Sequence, residues 1–216
     1  MQDYQKDFLQ LALDREVLKL GEFTLKSGRI SPYFFNLGLI SDGQGMRLIG
    51  HCYAQALKNC GIEFDMLFGP AYKGIPLVTA VAMALAEQGQ NHPYAYNRKE
   101  AKDHGEGGML VGAPIKGRVV IVDDVMTAGT AVRQAIELVQ AAGGEVAAVL
   151  IALDRQERAT DDTALSAVQT LAAQTCPVHS IVGLEQIIDY LGMGKASAAQ
   201  LEAIEAYKAR YGIGSA

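Results

Sequence analysis

Three apolar runs, FDMLFGP at 64–70, RVVIVDD at 118–124 and EVAAVLIALD at 145–154, recur along the chain with helix-patterned stretches between them. A strand wetted on one face alternates apolar with polar residues, whereas a run that is apolar at every position has both faces covered. Helices placed between such strands supply right-handed crossovers, so the expected class is α/β, with a mostly parallel central sheet flanked by helices.

The remaining pattern fills in that frame. Apolar residues at helical spacing from Tyr4 to Leu20, ending at Gly21, predict an N-terminal helix, and GEFTLKSGRISPYFFNLG reads as two short strands joined by a glycine-containing turn. Together, residues 1 to about 40 form a helix and a small N-terminal hood. From about 41 to 216 the core follows: a helix opened by Ser41–Asp42 and closed by Gly61, a second over Ile75–Gln88, a strand at HPYAYNRK, a polar glycine-rich loop to Gly112, and a helix over Thr130–Ala142. HSIVG is a further strand, followed by helices over Leu184–Leu191 and Ala198–Tyr211. No linker or repeat divides the chain, so 1–216 is expected to be one domain. Residues 160–176 and the last helix carry no functional motif.

Composition narrows the function. A net charge of -5 disfavours a general nucleic-acid binder, so an anionic ligand has to be met by local positive charge. Cys52, Cys60 and Cys176 have neither CxxC nor zinc spacing, which predicts reduced thiols in a cytoplasmic protein. No apolar run approaches the ~20 residues that span a bilayer, and the charged N-terminus lacks a signal-peptide core. His51, His92 and His179 have no base or metal constellation around them and read as structural or surface residues.

The stretch VVIVDDVMTAGTA, Val119 to Ala131, places two carboxylates where a parallel sheet binds ligands, outside the carboxyl end of a strand. Small residues then open a helix, so backbone N–H groups point outward together and a phosphate can approach them. Neither GxxxxGK[ST] nor GxGxxG is present in this loop. Asp123 and Asp124 would repel phosphate but accept hydrogen bonds from vicinal hydroxyls or stand near Mg²⁺. A ribose 5-phosphate fits both halves; the plainer alternative is an Asp pair that caps the following helix.

Other segments carry chemistry with alternatives of their own. FGPAYKGIPL sets Tyr72 and Lys73 after a strand end between Gly69 and Gly74, as an anion-binding turn or an ordinary β-to-α turn. YNRKEAKDHGEGGMLVG gathers Arg98, Lys99, Lys102 and His104 before a glycine-rich stretch, as a lid over a polyanion or a salt-bridged solvated loop. TLKSGRISPYFFN carries Lys26 and the pair Phe34–Phe35; alternation in a strand sends one ring to the core and frees the other to stack on a flat base, unless both are buried. Arg155 in LDRQERA is a fork for a carboxylate or a surface ion pair.

The DDVMTAGTA stretch resembles the signature of the type I phosphoribosyltransferases, and the other four segments, including a full RKxxKxHG pattern at 98–105, resemble the orotate phosphoribosyltransferases within it. Met126 stands where that signature more usually has another aliphatic or a small residue. The resemblance covers nearly the whole chain. It implies a type I phosphoribosyltransferase fold and transfer of ribose 5-phosphate from 5-phosphoribosyl 1-pyrophosphate (PRPP) to orotate, giving orotidine 5′-monophosphate and pyrophosphate in pyrimidine synthesis. It further implies that Asp123 and Asp124 hold the ribose hydroxyls and that Val125, Met126, Thr127, Ala128, Gly129, Thr130 and Ala131 cradle the 5-phosphate. Lys26, Tyr72, Lys73, Arg98, Lys99, Lys102 and His104 would meet the pyrophosphate, with Lys102 and then His104 as acid or charge stabiliser. Lys26, Phe34, Phe35, Thr127 and Arg155 would contact orotate. Mg²⁺ would be held mainly through PRPP, near the Asp pair. A homodimer is implied, with Arg98, Lys102 and His104 acting across the interface and Lys99 in its own chain. A PRPP-sensing regulator that binds nucleic acid is the rival of another class; a uracil or purine phosphoribosyltransferase is the rival within enzymes.

Overall fold

The computed structural model describes residues 1–25, 27–102, 108–126, 129–160 and 163–213, without the side chains of Ala101 and Lys102. In chain order the elements are α1 Asp3–Asp14, β1 Leu18–Thr24, β2 Ile30–Phe35, α2 Gly43–Cys60, β3 Met66–Gly69, α3 Gly74–Glu87, β4 Tyr94–Lys102, β5 Gly108–Gly112, β6 Arg118–Val122, α4 Thr130–Ala141, β7 Glu145–Asp154, α5 Ala167–Gln174, β8 Val178–Gly183, α6 Leu184–Gly192 and α7 Ala198–Tyr211. β1 and β2 form a separate antiparallel hairpin, the hood, and the other six strands form one sheet in the order β5-β4-β3-β6-β7-β8. All neighbours in that sheet are parallel except β4 and β5.

The apolar runs are explained by the two packing layers. Leu67, Val120, Val122, Leu150 and Ala152 face a core built with α1, α2, α3, α6 and α7. Their neighbours Met66, Phe68, Val119, Ile121, Val149 and Ile151 face the opposite core, against α4 and α5. Period-two alternation is present but divides apolar from apolar, and each such Val, Leu or Ile stabilises the fold by roughly 1.5–3 kcal/mol. Gly50 lets α2 approach α3 closely, since a Cβ there would lie 2.4 Å from the Ala80 carbonyl oxygen.

Two expectations are corrected, and a segment without a motif gains a helix. The first helix ends at Asp14 rather than running to Leu20: Glu16 adopts φ 54°, turning the chain, and Val17 and Leu18 are buried at the start of the hood strand. The glycine-rich loop before Gly112 includes a strand, β5, which closes the sheet edge by pairing back on β4. Within 160–176 lies α5, opened by a capping box in which Ser166 Oγ accepts from Gln169 N and Gln169 Oε1 accepts from Ser166 N. The Asp42 cap on α2 and the left-handed Gly61 at its end are where the pattern places them.

The chain leaves β3 toward β4 on one side and returns to place β6 on the other. This reversal opens a crevice beyond the carboxyl ends of β3 and β6.

Candidate active site

Asp123 and Asp124 lie at that crevice, immediately after β6, and both are buried. Their backbone continues the sheet for one more step, with Asp123 N donating to Leu150 O at 3.0 Å and Ala152 N donating to Asp124 O at 2.8 Å. Tyr53 Oη, from α2, donates to Asp123 O at 2.7 Å, and Asp124 N donates to Asp123 Oδ1 at 2.9 Å. Burial, reinforced by the Asp124 charge, pushes the Asp123 carboxyl up to about 7.

The loop after β3 closes on the same place because two glycines remove the side chains between them. A Cβ on Gly69 would sit 2.2 Å from Gly74 O, and one on Gly74 would sit 3.0 Å from Val122 O. The Ala71–Tyr72 peptide is cis. Ala71 N donates to Asn97 Oδ1 of β4 at 3.1 Å and Gly74 N to Pro70 O at 2.9 Å, so these amides are already engaged. Lys73 Nζ reaches Asp124 Oδ2 at 2.5 Å, with Asn36 Oδ1 from the end of the hood at 3.4 Å. The Tyr72 ring is exposed and Lys99 Nζ stands 4.6 Å from its centroid, bringing the β4 cation and the β3 loop together.

Gly129, at φ 77°, caps α4, and the first-turn N–H groups of Thr130 and Ala131 lie beyond its intrahelical bonding. Val125 and Met126 are not free to touch a ligand through their side chains: Val125 packs against one core and Met126 is buried in the other. Only their backbone remains for a phosphate. Thr127, Ala128, Lys26 and His104 lie outside the described residues, as does the side chain of Lys102. Arg98 Nη1 donates to Gly108 O at 3.1 Å, across the β4–β5 pair.

The hood separates the two adjacent aromatics. Phe35 is buried, its ring 6.3 Å from that of Phe8, so its side chain belongs to the core and is withdrawn from base stacking. Phe34 points outward, 38% exposed, with Phe23 at 5.5 Å. Arg155 is reached by the hood from the other direction: its guanidinium carbon stands 4.3 Å from the Tyr33 ring centroid, and Nη2 donates to Ser31 Oγ at 3.2 Å. Its Nε and Nη2 also bind Glu157 Oε1, at 2.8 and 2.7 Å. The ion pair therefore takes the Nε–Nη2 edge, so a ligand carboxylate would have to be met by Nη1.

Asn36, Tyr53, Asn97, Ser31 and Glu157 are site residues that sequence patterns do not reveal, because each acts through a partner remote in the chain or, for Glu157, through a turn. Among the described residues no group of three or more His, Cys, Asp or Glu could hold a metal ion. Two adjacent carboxylates do suit Mg²⁺ that brings most of its ligands from a polyphosphate.

A family model described as the phosphoribosyl transferase domain matches residues 40–177. The chain is 56% identical over 214 residues to the orotate phosphoribosyltransferase of Chromobacterium violaceum, covering 99% of each, and 56% identical over 215 residues to that of Pseudomonas aeruginosa, covering 99% and 100%. Its structure is similar to the crystal structure of orotate phosphoribosyltransferase from Francisella tularensis, with a TM-score of 0.86 at 39% identity over 95% of this chain and 99% of that one. With the Asp pair and the β3 loop meeting at one crevice of a parallel sheet, the chain belongs to the orotate phosphoribosyltransferases.

Proposed function

We propose a division of labour among these residues for the family's reaction, in which the chain transfers ribose 5-phosphate from PRPP to orotate, releasing pyrophosphate and forming orotidine 5′-monophosphate in pyrimidine synthesis. The observation that carries it is the Lys73–Asp124 contact of 2.5 Å, which puts a pyrophosphate-seeking cation and a hydroxyl-accepting carboxylate side by side. A ribose bearing pyrophosphate at C1 and hydroxyls at C2 and C3 needs those two groups adjacent.

In this reading Asp123 and Asp124 accept hydrogen bonds from the 2′ and 3′ hydroxyls, and the backbone from Val125 to Ala131, with the Thr127 and Thr130 hydroxyls, holds the 5-phosphate. Orotate lies under the hood, against Phe34, the backbone at Phe35, Lys26 and Thr127, with its carboxylate on Arg155. Its nitrogen attacks C1 with inversion while the bond to pyrophosphate is largely broken. Negative charge then gathers on the leaving group, where Lys26, Tyr72, Lys73, Arg98, Lys99, Lys102 and His104 stabilise it, with Lys102 assigned the role of acid. Mg²⁺, bound chiefly through PRPP near Asp123 and Asp124, would neutralise the same charge. No nucleophilic side chain is required.

The working unit is a homodimer. In support, α3 is apolar on its outer as well as its inner side: Pro76, Met83 and Ala86 are exposed along one stripe, continuing from Tyr72. Such a face suits a partner surface, and it begins where Lys99 meets Tyr72. Arg98, Lys102 and His104 then serve the neighbouring subunit's site. No helix among the described residues is long and apolar enough to cross a membrane, and the three cysteines are free; a cytoplasmic setting fits both. Mixing Lys102→Ala with Asp124→Asn subunits tests the sharing: heterodimers regain activity if the loop works across the interface, and stay inactive after confirmed exchange if it does not.

A further inference from the structure

We infer that Glu157 is a positioning residue for orotate: it clamps the Nε–Nη2 edge of Arg155, so that the Nη1 end is what the site offers to the substrate carboxylate. This rests on the reading of Arg155 as the orotate carboxylate partner.

The turn after β7 is built for that clamp. Gln156 adopts φ 53°, a left-handed conformation uncommon for a residue other than glycine. Three bonds hold it there: Gln156 N donates to Asp154 Oδ1 at 2.9 Å, Ile213 N donates to Gln156 O at 2.9 Å, and Glu185 N donates to Gln156 Oε1 at 3.0 Å. Arg155 and Glu157, on either side of this residue, are thereby brought together. Glu157 Oε1 accepts from Arg155 Nε and Nη2, and from Tyr33 Oη at 3.2 Å, so one oxygen gathers three donors. Ser31 Oγ, itself donating to Tyr33 O at 2.7 Å, takes a further bond from Nη2.

Both side chains of the ion pair are nearly enclosed, at 14% and 13% exposure. Arginine carries substantial rotamer freedom, and a guanidinium held on one edge and stacked on Tyr33 has lost it before substrate arrives. The last turn of α7 braces the same segment, since Arg158 N donates to Tyr211 O at 2.9 Å and Tyr207 packs edge-on to Tyr33 at 6.3 Å. The C-terminal helix thus supports base recognition without touching the base.

Steady-state kinetics of Glu157→Ala, Glu157→Gln and Arg155→Met, varying each substrate in turn, test this. Glu157→Ala should raise the orotate KM about tenfold or more and leave the PRPP KM within about twofold. Glu157→Gln, which retains an oxygen acceptor, should stay within about threefold of the wild type for both. If Arg155→Met raises the orotate KM and Glu157→Ala does not, the clamp is overturned while the Arg155 reading stands. If Arg155→Met leaves the orotate KM unchanged, both fall. Should Glu157→Ala not fold, Tyr33→Phe removes one donor to Glu157 while keeping the ring: a rise confined to the orotate KM supports the clamp, and an unchanged KM, or a parallel rise for both substrates, overturns it.

Discussion

Lys73 Nζ stands 2.5 Å from Asp124 Oδ2, one ion pair joining the loop after β3 to the end of β6. Lys73 is half exposed while Asp124 is buried, so the pair is open to an incoming anion on the lysine side only. The same ammonium is expected to turn to the pyrophosphate of PRPP, freeing the carboxylate for a ribose hydroxyl.

Lys73→Met should therefore weaken PRPP binding about tenfold or more, with little change in orotate KM once PRPP saturates. Stability should fall by only about 1 kcal/mol, because the lysine is half solvated. Calorimetric titration with PRPP and a thermal melt separate the two effects; loss of orotate affinity in place of PRPP affinity contradicts the assignment.

Asp123 gives a pH dependence of known sign. Its folded-state value, pushed up to about 7 by burial and by Asp124, lies above the roughly 3.9 of an unfolded chain. Between those values the folded protein holds a proton that the unfolded chain has released, so stability falls as pH rises through the window and stays low above it. Asp123→Asn keeps an acceptor for Asp124 N but cannot ionise. Melts of the ligand-free protein should show this variant higher by about 3 °C or more at pH 8, the difference closing toward about pH 4, while its turnover drops. A variant less stable at pH 8 with an unchanged pH slope would remove the buried charge from the description.

Met83 lies exposed on the outer stripe of α3. If the protein is the proposed homodimer, Met83→Glu should shift it toward monomer in sedimentation and lower turnover in proportion to the monomer fraction, since each site would lose the residues proposed to come from its neighbour. A monomer with full activity contradicts the shared site.

What the sequence reveals depends on how local each interaction is. The strands are legible because burial on two faces leaves continuous apolar runs, and the position of the Asp pair because it directly follows one of those runs. The end of α1 is not legible: Val17, Leu18 and Leu20 satisfy helical spacing and strand burial alike, and the left-handed Glu16 leaves no compositional mark. β5 is hidden because its partner β4, across a hairpin, determines it. The Phe34–Phe35 question is settled by the pleat, which turns Phe35 onto Phe8. Tyr53, Asn36, Asn97 and Ser31 reach the site through partners remote in sequence. Glu157, only two residues from Arg155, is missed for another reason, since the Gln156 turn is what directs it.

The most direct measurement is the loss of orotate absorbance when the protein is mixed with orotate, PRPP and Mg²⁺, run beside parallel assays with uracil, adenine and hypoxanthine. Orotate should be consumed and the other three bases left essentially unchanged, because an arginine in the proposed role of carboxylate partner gains nothing from a neutral base. An unchanged orotate signal, or turnover of uracil at a comparable rate, would contradict the assignment of the crevice and of Arg155.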